Sequence, residues 1–429
     1  MPAKSGPART RTTSPSRAGR EALDAAPTSD ELQKMEAEIV SVHGQGVVVR
    51  GDKMPRANHS PCGAFALDLG LCGGFAEGYA GMIYGFESSG KTLVALLAIA
   101  GFQKKHPNKL AVFVDAEKLY DPEWAKRLGV DTRRLRVITP DTGEQAVDTL
   151  AAMMAVDVVG FAVVDSVPTC VPKAVMDRSA EDKTMGALAA LMGVMCSKII
   201  TSWGRERRRG HYVTVLLLNQ WRMKVGFVLG DPRTLPGGRQ INHLPTTKIA
   251  MKGKEEEGKD EEGDKVRTGT ELFFKFEKTK HGKSINEGAF TVVLADGHES
   301  GLPPGTVDDS ATVAVYCFKF GLATGSGGRY RLADFTEDTF RKKEDIAKWL
   351  RDNPYEQKLV RATIIAAMRM RHSLEPLPPD NSLEGLHEVH KLIDMALVRK
   401  IANKHKAAET AASAIAEHDE EEETNEEEA

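Results

Sequence analysis

The stretch GFESSGKT, which follows the apolar run GMIY and precedes LVALLAIAGF, constrains the fold more than any other feature of this chain. It satisfies the pattern G-x-x-x-x-G-K-[ST]. Glycines in such a loop let backbone N–H groups turn towards phosphate oxygens, and the following helix adds its positive dipole end. The pattern therefore predicts a strand, a phosphate-binding loop and a helix. The predicted nucleotide contacts are Gly85, Phe86, Glu87, Ser88, Ser89, Gly90, Lys91 and Thr92.

Two carboxylates outside the loop are candidates for the chemistry. Lys91 is expected to reach the β- and γ-phosphates, and Thr92 to ligate magnesium together with Asp165, which ends the apolar strand GFAVVD. Glu117, at the end of FVDAE, is a candidate for orienting or deprotonating water. A surface salt-bridge glutamate is the commoner role for such a residue taken alone.

The order of apolar runs predicts the fold class. Short β-type runs alternate with helical patterns from the phosphate loop to HYVTVLLLNQ, which is typical of an α/β fold with a mostly parallel sheet covered on both faces. Three further runs, TKIAMKG, TGTELFFKFEKTK and GAFTVVLADG, read as hairpin strands that extend this sheet. The charged GKEEEGKDEEGDK between the first two reads as an exposed loop, and GVVVRG near the N-terminus as a short strand.

Charge and composition divide the chain of 429 residues, of which 41% are hydrophobic, into several segments. The formal net charge is only -3, yet the first residues are basic and the last ones are a block of carboxylates. Both ends are too polar to bury a core and are predicted to be disordered. The predicted division is a basic tail over 1–29, an oligomerisation segment over 30–60, an ATPase core over 61–300, a small α+β domain over 301–375, and a linker, helix and acidic tail over 376–429.

Other composition signals exclude several classes of protein. The apolar runs are shorter than the ~18 residues that cross a bilayer, and the first residues lack the apolar block of a signal peptide. These features predict a soluble cytoplasmic protein without a membrane partner. The five cysteines have neither metal-ligand spacing nor the density of a disulfide scaffold, and are predicted to be buried thiols.

Several motifs together resemble the bacterial and phage RecA family of recombinases. They are GFESSGKT, VDAEKLYDPEWAKRLGVD, TPDTGEQA, VVDSVPTCVPKA, LLLNQWRMKVGFVLGDPRTLPGGRQI and FKFEKTK, and the likeness runs from about Ile39 to Val360. The resemblance implies a DNA-dependent ATPase that uses ATP and Mg²⁺. It also implies a homo-oligomeric helical filament on single-stranded DNA, which searches double-stranded DNA for homology and exchanges strands in DNA repair.

The resemblance also implies roles for particular side chains in hydrolysis. By it, Glu117 is the catalytic base, and Asp121 and Trp124 contact adenine. Gln220 senses the γ-phosphate. Lys278 and Lys280 reach into the active site of an adjacent subunit, although two exposed cations at alternating strand positions are the commoner case.

The same resemblance implies two DNA-binding loops, of which the second runs from Arg222 to Gln240. Their predicted contacts are Met185, Gly186, Arg222, Met223, Lys224, Gly237, Gly238 and Arg239. Four positions depart from the family pattern. Ala190 and Ser197 replace frequent arginines, Leu229 replaces an aromatic residue, and His243 replaces an interface phenylalanine. These departures bear on how strongly ATP binding is coupled to DNA binding. Phe86, in place of a proline, is not expected to matter, because that position supplies only backbone.

Two alternatives stay open at the level of sequence. One is a ring helicase built on the same core, which the paired lysines and both DNA loops disfavour. The other is a filament that serves chiefly as a scaffold for self-cleavage of a repressor in the SOS response, for which the sequence offers no discriminating motif.

Overall fold

The computed structural model describes residues 30–54, 57–177, 186–223, 232–259, 263–280, 285–332, 334–371 and 393–403. Two compact units divide the chain, residues 1–56 and 57–429. The first contains helix α1 (Asp30–His43) and a 3-10 turn at Gly51–Lys53. The strand predicted at GVVVRG is wrong: residues 46–50 form no strand and are exposed. A strand needs a hydrogen-bonded partner to be stable, and the described residues of this unit supply none.

A nine-stranded sheet forms the centre of the second unit, in the order β13-β12-β11-β10-β3-β7-β6-β4-β5. Strands β10, β3, β7, β6, β4 and β5 run parallel to one another, and β11, β12 and β13 continue the sheet with antiparallel pairing. The predicted α/β class with a mostly parallel sheet is confirmed. Its strands are β3 (Ala80–Gly85), β4 (Leu110–Asp115), β5 (Leu135–Ile138), β6 (Val159–Asp165), β7 (Thr214–Gln220), β10 (Thr247–Lys259), β11 (Lys265–Thr279), β12 (Glu287–Val293) and β13 (Val307–Asp308).

Helices cover both faces of this sheet. Successive side chains of a strand point to opposite faces, so Ile83 of β3 joins one hydrophobic cluster, and Met82 and Tyr84 join the other. Burial on both faces explains why the central strands are continuous apolar runs rather than alternating ones. The helices of this part are α2 (Phe65–Gly70), α3 (Lys91–Lys105), α4 (Pro122–Arg127), α5 (Gly143–Met154), α6 (Lys173–Met176), α7 (Ala187–Arg207) and α8 (Gly238–His243). Two short ladders join β1 (His59–Ser60) to β2 (Phe75–Ala76) and β8 (Arg222–Met223) to β9 (Arg233–Thr234).

Strands β10 and β11 form a long ribbon that the sequence did not predict. β10 pairs with β3 only over Thr247–Met251, but continues as a strand to Lys259. The expected exposed loop is therefore wrong for most of its length, since only residues 260–264 separate the two strands. Cross-strand ion pairs accompany the extension, with Lys265 Nζ 3.1 Å from Glu257 Oε2 and Arg267 Nη1 2.9 Å from Glu255 Oε1. Opposite charges across a ladder stabilise strands that a polar composition alone does not favour.

The C-terminal part is a small α+β region held to the core by buried arginines. Arg361 donates to Gly63 O at 2.8 Å and pairs with Asp309, and Arg369 donates to Cys72 O at 2.7 Å. The elements are α9 (Ser310–Lys319), β14 (Thr324–Ser326), β15 (Arg329–Arg331), β16 (Thr339–Phe340), α10 (Lys343–Asp352) and α11 (Pro354–Arg371).

Of the additional helix predicted near the C-terminus, residues 393–403 are described, and 395–403 are helical. We number this helix α12. Its apolar side chains Val398 and Ile401 are buried in the same hydrophobic cluster as α11. The predicted basic tail over 1–29 lies outside the described residues, as does all of the predicted linker, helix and acidic tail over 376–429 except residues 393–403. The proposed domain limits stay predictions.

One helix, α7, is long and apolar enough to be a candidate membrane span, with 28% of its apolar window buried. Its residues Met192, Met195, Ile199 and Trp203 pack into the cluster on one face of the sheet. Core helices of soluble proteins pass the same test of length and composition, so this helix is weak evidence for a membrane. All five cysteines are buried and free, as predicted.

We expect the substitution Gly101→Ala in α3 to destabilise the protein. A Cβ at this position would lie 1.7 Å from Pro61 O, a backbone atom that cannot move independently. Overpacking costs about 1–3 kcal/mol and outweighs the ~1 kcal/mol by which alanine favours a helix. Urea unfolding should show a net loss of up to about 2 kcal/mol.

Gly204→Ala in α7 is the matched control, because no atom lies within 4 Å of the added Cβ. It should leave the free energy of unfolding unchanged or raise it by up to about 1 kcal/mol. Equal effects of the two substitutions would contradict the packing of α3 against Pro61.

Candidate nucleotide site and nucleic-acid interface

The phosphate loop connects the end of β3 to the start of α3. Gly90 is in the left-handed region with φ +79°, and a Cβ there would meet Leu272 at 2.4 Å. Ser88 also has a positive φ, of 58°. Gly85 is confined in another way, since its Cβ would lie 2.4 Å from Met251 O. The loop therefore needs glycine at the two positions that the sequence pattern fixes.

Lys91, the first residue of α3, folds back over the loop. Its Nζ donates to Phe86 O at 2.6 Å and lies 3.3 Å from Ser89 Oγ. Burial lowers the pKa of this amine, although Asp165 and Glu117 act in the opposite direction. Among the described residues, the close acceptors of this buried amine are neutral oxygens, which is a suitable arrangement for a phosphate ligand.

Thr92 and Asp165 are joined directly. Thr92 Oγ1 donates to Asp165 Oδ2 at 2.6 Å, although 73 residues separate them in the chain. Asp165 is only 5% exposed, and burial, with Glu117 and Asp115 nearby, raises its pKa to about 6. A hydroxyl and a carboxylate in contact form a fitting oxygen donor pair for Mg²⁺. Burial and the neighbouring carboxylates outweigh the effect of the nearby Lys91 on Asp165, so the residues present fit the ion.

Glu117 lies between two donors. Its Oε1 accepts from Ser166 Oγ at 2.6 Å and from Gln220 Nε2 at 3.1 Å. These bonds fix the carboxylate beside the phosphate loop. Ser166 was not predicted as a site residue, and no local pattern marks it apart from its position directly after Asp165.

A cavity of about 390 Å³ lies over the loop. It brings together predicted residues from the loop with Glu117, Trp124, Asp165 and Gln220. Its remaining lining includes Leu93, Arg267, Thr270 and Leu294, which the sequence did not indicate. Three of these belong to β11 or directly follow β12, so only the pairing of the hairpin strands brings them to the nucleotide loop.

Asp121 and Trp124 occupy the start of α4 beside this cavity. Asp121 Oδ1 accepts from Glu123 N at 2.8 Å and from Trp124 N at 3.2 Å, which makes it the N-cap of the helix. Trp124 is partly buried and lines the cavity, whereas Asp121 is exposed and does not. The capping bonds orient the indole at the cavity wall.

Lys278 and Lys280 are not among the residues that line the cavity. Lys278 pairs with Lys248, which pairs with Met82, three residues before Gly85 along β3. Lys278 is therefore displaced from Gly85 by three residues along the strands and by two strands across the sheet. Each of these displacements spans roughly 10 Å. Lys278 Nζ instead donates to His243 O at 3.0 Å. Burial and the nearby Lys280 and Lys248 lower the pKa of Lys278.

The bases of the two predicted DNA loops lie side by side. Gly186 is the N-cap of α7 and Gly237 is the N-cap of α8, and both have a positive φ. A Cβ on Gly238 would meet Ala189 of α7 at 2.8 Å. Arg222 and Met223 are exposed on β8, and Arg239 is exposed on α8. Met185, Lys224 and Leu229 lie outside the described residues.

Trp221 connects the second of these loops to the nucleotide site. Its backbone N donates to Gly85 O at 3.2 Å, and its ring meets Tyr84 edge to face at 5.0 Å. The guanidinium of Arg233 lies 5.0 Å from the centre of the indole. One residue after Gln220, the chain thus contacts both the phosphate loop and the β8–β9 ladder.

Comparison with known proteins decides the family. The family model for the RecA N-terminal domain matches residues 30–299. Protein RecA of Gloeobacter violaceus is 37% identical over 294 residues, which cover 66% of this chain and 75% of the relative. Protein RecA of Symbiobacterium thermophilum is 33% identical over 353 residues, which cover 79% of this chain and 94% of the relative. The chain belongs to the RecA family.

As a RecA-family recombinase, the chain acts in DNA recombination and repair, and the ring helicase is not favoured.

The groove beside α7 carries two of the departures noted above. Ala190 and Ser197 line it together with Lys198 and Arg205, and its volume is about 760 Å³. Lys198 is paired with Asp148 at 2.5 Å. The small side chains of Ala190 and Ser197 therefore leave open space in this groove.

We expect the stability of this RecA-family chain to depend on the ionisation of Asp165. Its folded pKa of about 6 exceeds the ordinary value of 3.8, so folding favours the protonated form. That contribution is complete below pH 3.8 and is lost as the pH rises to about 6. The loss amounts to roughly 3 kcal/mol.

Asp165→Asn keeps an acceptor for Thr92 but removes the ionisation. Urea unfolding without magnesium or nucleotide measures the free energy of unfolding of the variant and of the wild type. The value for the variant minus the value for the wild type should increase from pH 4 to pH 6.5. A difference that is flat across this interval would contradict the burial of Asp165.

Proposed function

We propose that this chain is a DNA-dependent ATPase that binds ATP with magnesium, polymerises on single-stranded DNA and exchanges strands with homologous duplex DNA. The observation that carries the proposal is the position of Glu117, held by Ser166 and Gln220 beside the phosphate loop. Gln220 ends the strand that leads directly into the second predicted DNA loop. The hydrogen bond from Gln220 to Glu117 therefore connects the candidate proton acceptor to the segment that we expect to face DNA.

Lys91 and the loop would hold the phosphates of ATP. Phosphate oxygens are stronger acceptors for a cation than the carbonyl of Phe86, so we expect the amine of Lys91 to exchange one for the other. The cavity wall formed by Trp124 and Leu294 offers apolar surface for the base. Asp121 orients Trp124 as the N-cap of α4.

Glu117 would accept a proton from the attacking water. Ser166 and Gln220 both donate to Oε1 of its carboxylate, which leaves Oε2 for water. Thr92 and Asp165 would hold magnesium, which neutralises charge that develops on the phosphates. The buried Asp165 gains a counter-charge by this binding.

The adjacent subunit would complete the site with Lys278 and Lys280. Both lie towards the opposite end of β3 from the phosphate loop of their own protomer, so only another copy of the chain brings them near ATP. Their cations would stabilise the transition state of phosphoryl transfer. This requirement links hydrolysis to assembly of a filament.

Nucleotide occupancy would reach DNA through the base of the second loop. Gln220 contacts Glu117, and Trp221 contacts both Gly85 and the residues of the β8–β9 ladder. Asn219 Nδ2 also donates to Pro236 O at 3.1 Å, which joins β7 to the far end of the loop. Arg222, Arg239 and Lys224 would contact phosphates without reading the sequence. A cytoplasmic location and stimulation of repressor self-cleavage stay predictions.

We expect single-stranded DNA to stimulate ATP hydrolysis strongly, and Glu117→Gln to reduce the stimulated turnover number by about 100-fold or more, because the amide cannot accept the proton. Lys91→Ala should abolish hydrolysis by weakening nucleotide binding. Phosphate release at saturating ATP measures both.

Glu123→Gln, an exposed glutamate of α4, is the control and should keep full activity. Glu117→Gln should still bind ATP and assemble on DNA, which light scattering can follow. Normal turnover in Glu117→Gln would exclude the proposed base.

We expect mixed filaments to reveal the contribution of the adjacent subunit. Lys91→Ala and Lys280→Ala chains should each be nearly inactive alone. In an equal mixture about a quarter of the interfaces join an intact phosphate loop to an intact Lys280, so activity should return to about that fraction.

A mixture with excess Lys91→Ala chains, rather than an equal amount, gives a second measurement of how activity depends on the ratio of the two variants. If Lys280 acted within its own protomer, no mixture of the two variants would regain activity. That result would contradict the shared site.

A further inference from the structure

A second cluster of potential ligands lies at the opposite end of the sheet from the phosphate loop. Asp157 precedes β6, Glu206 is near the end of α7, and His211 precedes β7. One ligand atom from each lies within 4.8 Å of the others. Glu206 and His211 are buried, with 3% and 5% of their side chains exposed, and Asp157 is open to solvent. The cluster therefore has two fixed donors and one accessible donor.

The hydrogen bonding of His211 leaves a lone pair directed into this cluster. Its Nε2 lies 2.6 Å from Val159 O, an acceptor that requires the proton to be on Nε2 in the neutral ring. Its Nδ1 is buried without a hydrogen-bond partner and lies 3.5 Å from Glu206 Oε2. In the neutral ring, this lone pair and the carboxylate oxygen repel each other, and either a proton on Nδ1 or a metal ion between the two atoms would remove the repulsion.

Metal-ligating histidines commonly show this arrangement. The ring nitrogen that does not bind the metal donates to a carbonyl or carboxylate, which fixes the tautomer and the orientation of the ring. Val159 O occupies that position for His211. One imidazole nitrogen and two carboxylates suit zinc and related divalent transition metals, whereas Mg²⁺ and Ca²⁺ prefer sites made of oxygen alone.

The guanidinium of Arg209 now neutralises the two carboxylates. Its Nη1 lies 3.0 Å from Glu206 Oε2 and its Nη2 3.2 Å from Asp157 Oδ1, and more than half of the side chain is exposed. Arg205 holds the other oxygen, with its Nε 2.7 Å from Glu206 Oε1. Arg209 can leave to solvent without disturbing the core, which would open two carboxylate oxygens beside the Nδ1 lone pair.

We propose that Asp157, Glu206 and His211 form a binding site for a divalent transition-metal ion, with zinc as its representative, and that Arg209 competes with the metal for the two carboxylates. Water would complete the coordination on the exposed side. The bound ion would fasten the end of α7 and the start of β7 to the start of β6. The site is separate from the nucleotide loop and does not depend on the proposed ATPase.

Titration of the full-length protein with Co²⁺ and Zn²⁺ tests the site. Co²⁺ should give a saturable d–d absorption spectrum that Zn²⁺ displaces, and calorimetry with Zn²⁺ in excess Mg²⁺ should show one tight site. Asp157→Asn and His211→Asn should each weaken this site by more than the about 10- to 100-fold that loss of an outer-shell partner costs. Asp157 is exposed, so its variant stays folded even where His211→Asn does not.

His298→Asn is the matched control. His298 is also a buried histidine beside a carboxylate, but Ser300 Oγ lies 2.7 Å from its Nδ1 and Glu256 Oε2 lies 3.0 Å from its Nε2. Both ring nitrogens are therefore occupied, and this variant should bind Zn²⁺ as the wild type does. Lys91→Ala should also bind normally, because the nucleotide loop is not involved.

Arg209→Gln separates a metal site from a purely structural cluster. Removal of the competing cation should tighten Zn²⁺ binding about tenfold, the size of a partly screened charge interaction. A wild type without a saturable site, or equal Zn²⁺ affinity in the wild type and Asp157→Asn, would overturn the proposal. Weaker binding by Arg209→Gln would overturn the competition.

Discussion

The in-register parallel pairing of the central strands is the constraint on which the functional site depends. Gly85 is paired with Gln220, and Asp115 with Asp165, at the carboxyl ends of four neighbouring strands. Motifs separated by up to 135 residues of sequence therefore meet at one edge of the sheet. A shift of one residue would turn each of these side chains to the opposite face. The apolar runs that fill both hydrophobic clusters hold this register, so the core and the site are specified together.

Buried charge is the second feature that these parts share. Asp165 is buried near Glu117 and Asp115, whose effect together with burial outweighs that of Lys91; this costs stability and prepares the site for cations. Lys91 is held against Phe86 O, an acceptor weaker than a phosphate. Arg209 bridges Glu206 and Asp157 in a comparable way at the other end of the sheet. The amine of Lys91 is thus available to an anionic ligand, and the carboxylates of Glu206 and Asp157 are available to a cationic one.

Membership of the RecA family explains why most motifs occur where they do, and several tertiary contacts connect these motifs to one another. Arg267 and Thr270 reach the nucleotide cavity because the β10–β11 ribbon passes over the phosphate loop. Gly253 of that ribbon has no room for a side chain, since its Cβ would lie 2.7 Å from Ser88 O. The indole of Trp221 lies between Tyr84 and the second loop. These contacts connect the nucleotide loop to the hairpin and to the second predicted DNA loop.

The sequence by itself determined the phosphate loop, the parallel α/β core and the separation of a basic start from an acidic end. These features rest on short patterns, such as glycine spacing and apolar runs, whose physics is local. Only the tertiary structure placed Ser166 against Glu117, brought Arg267 to the cavity, and moved Lys278 away from its own active site. It also placed residues 253–259 of the charged segment GKEEEGKDEEGDK in a strand rather than a loop, because cross-strand pairing is a long-range interaction. Contacts between distant residues depend on register, and no local pattern of residues records register.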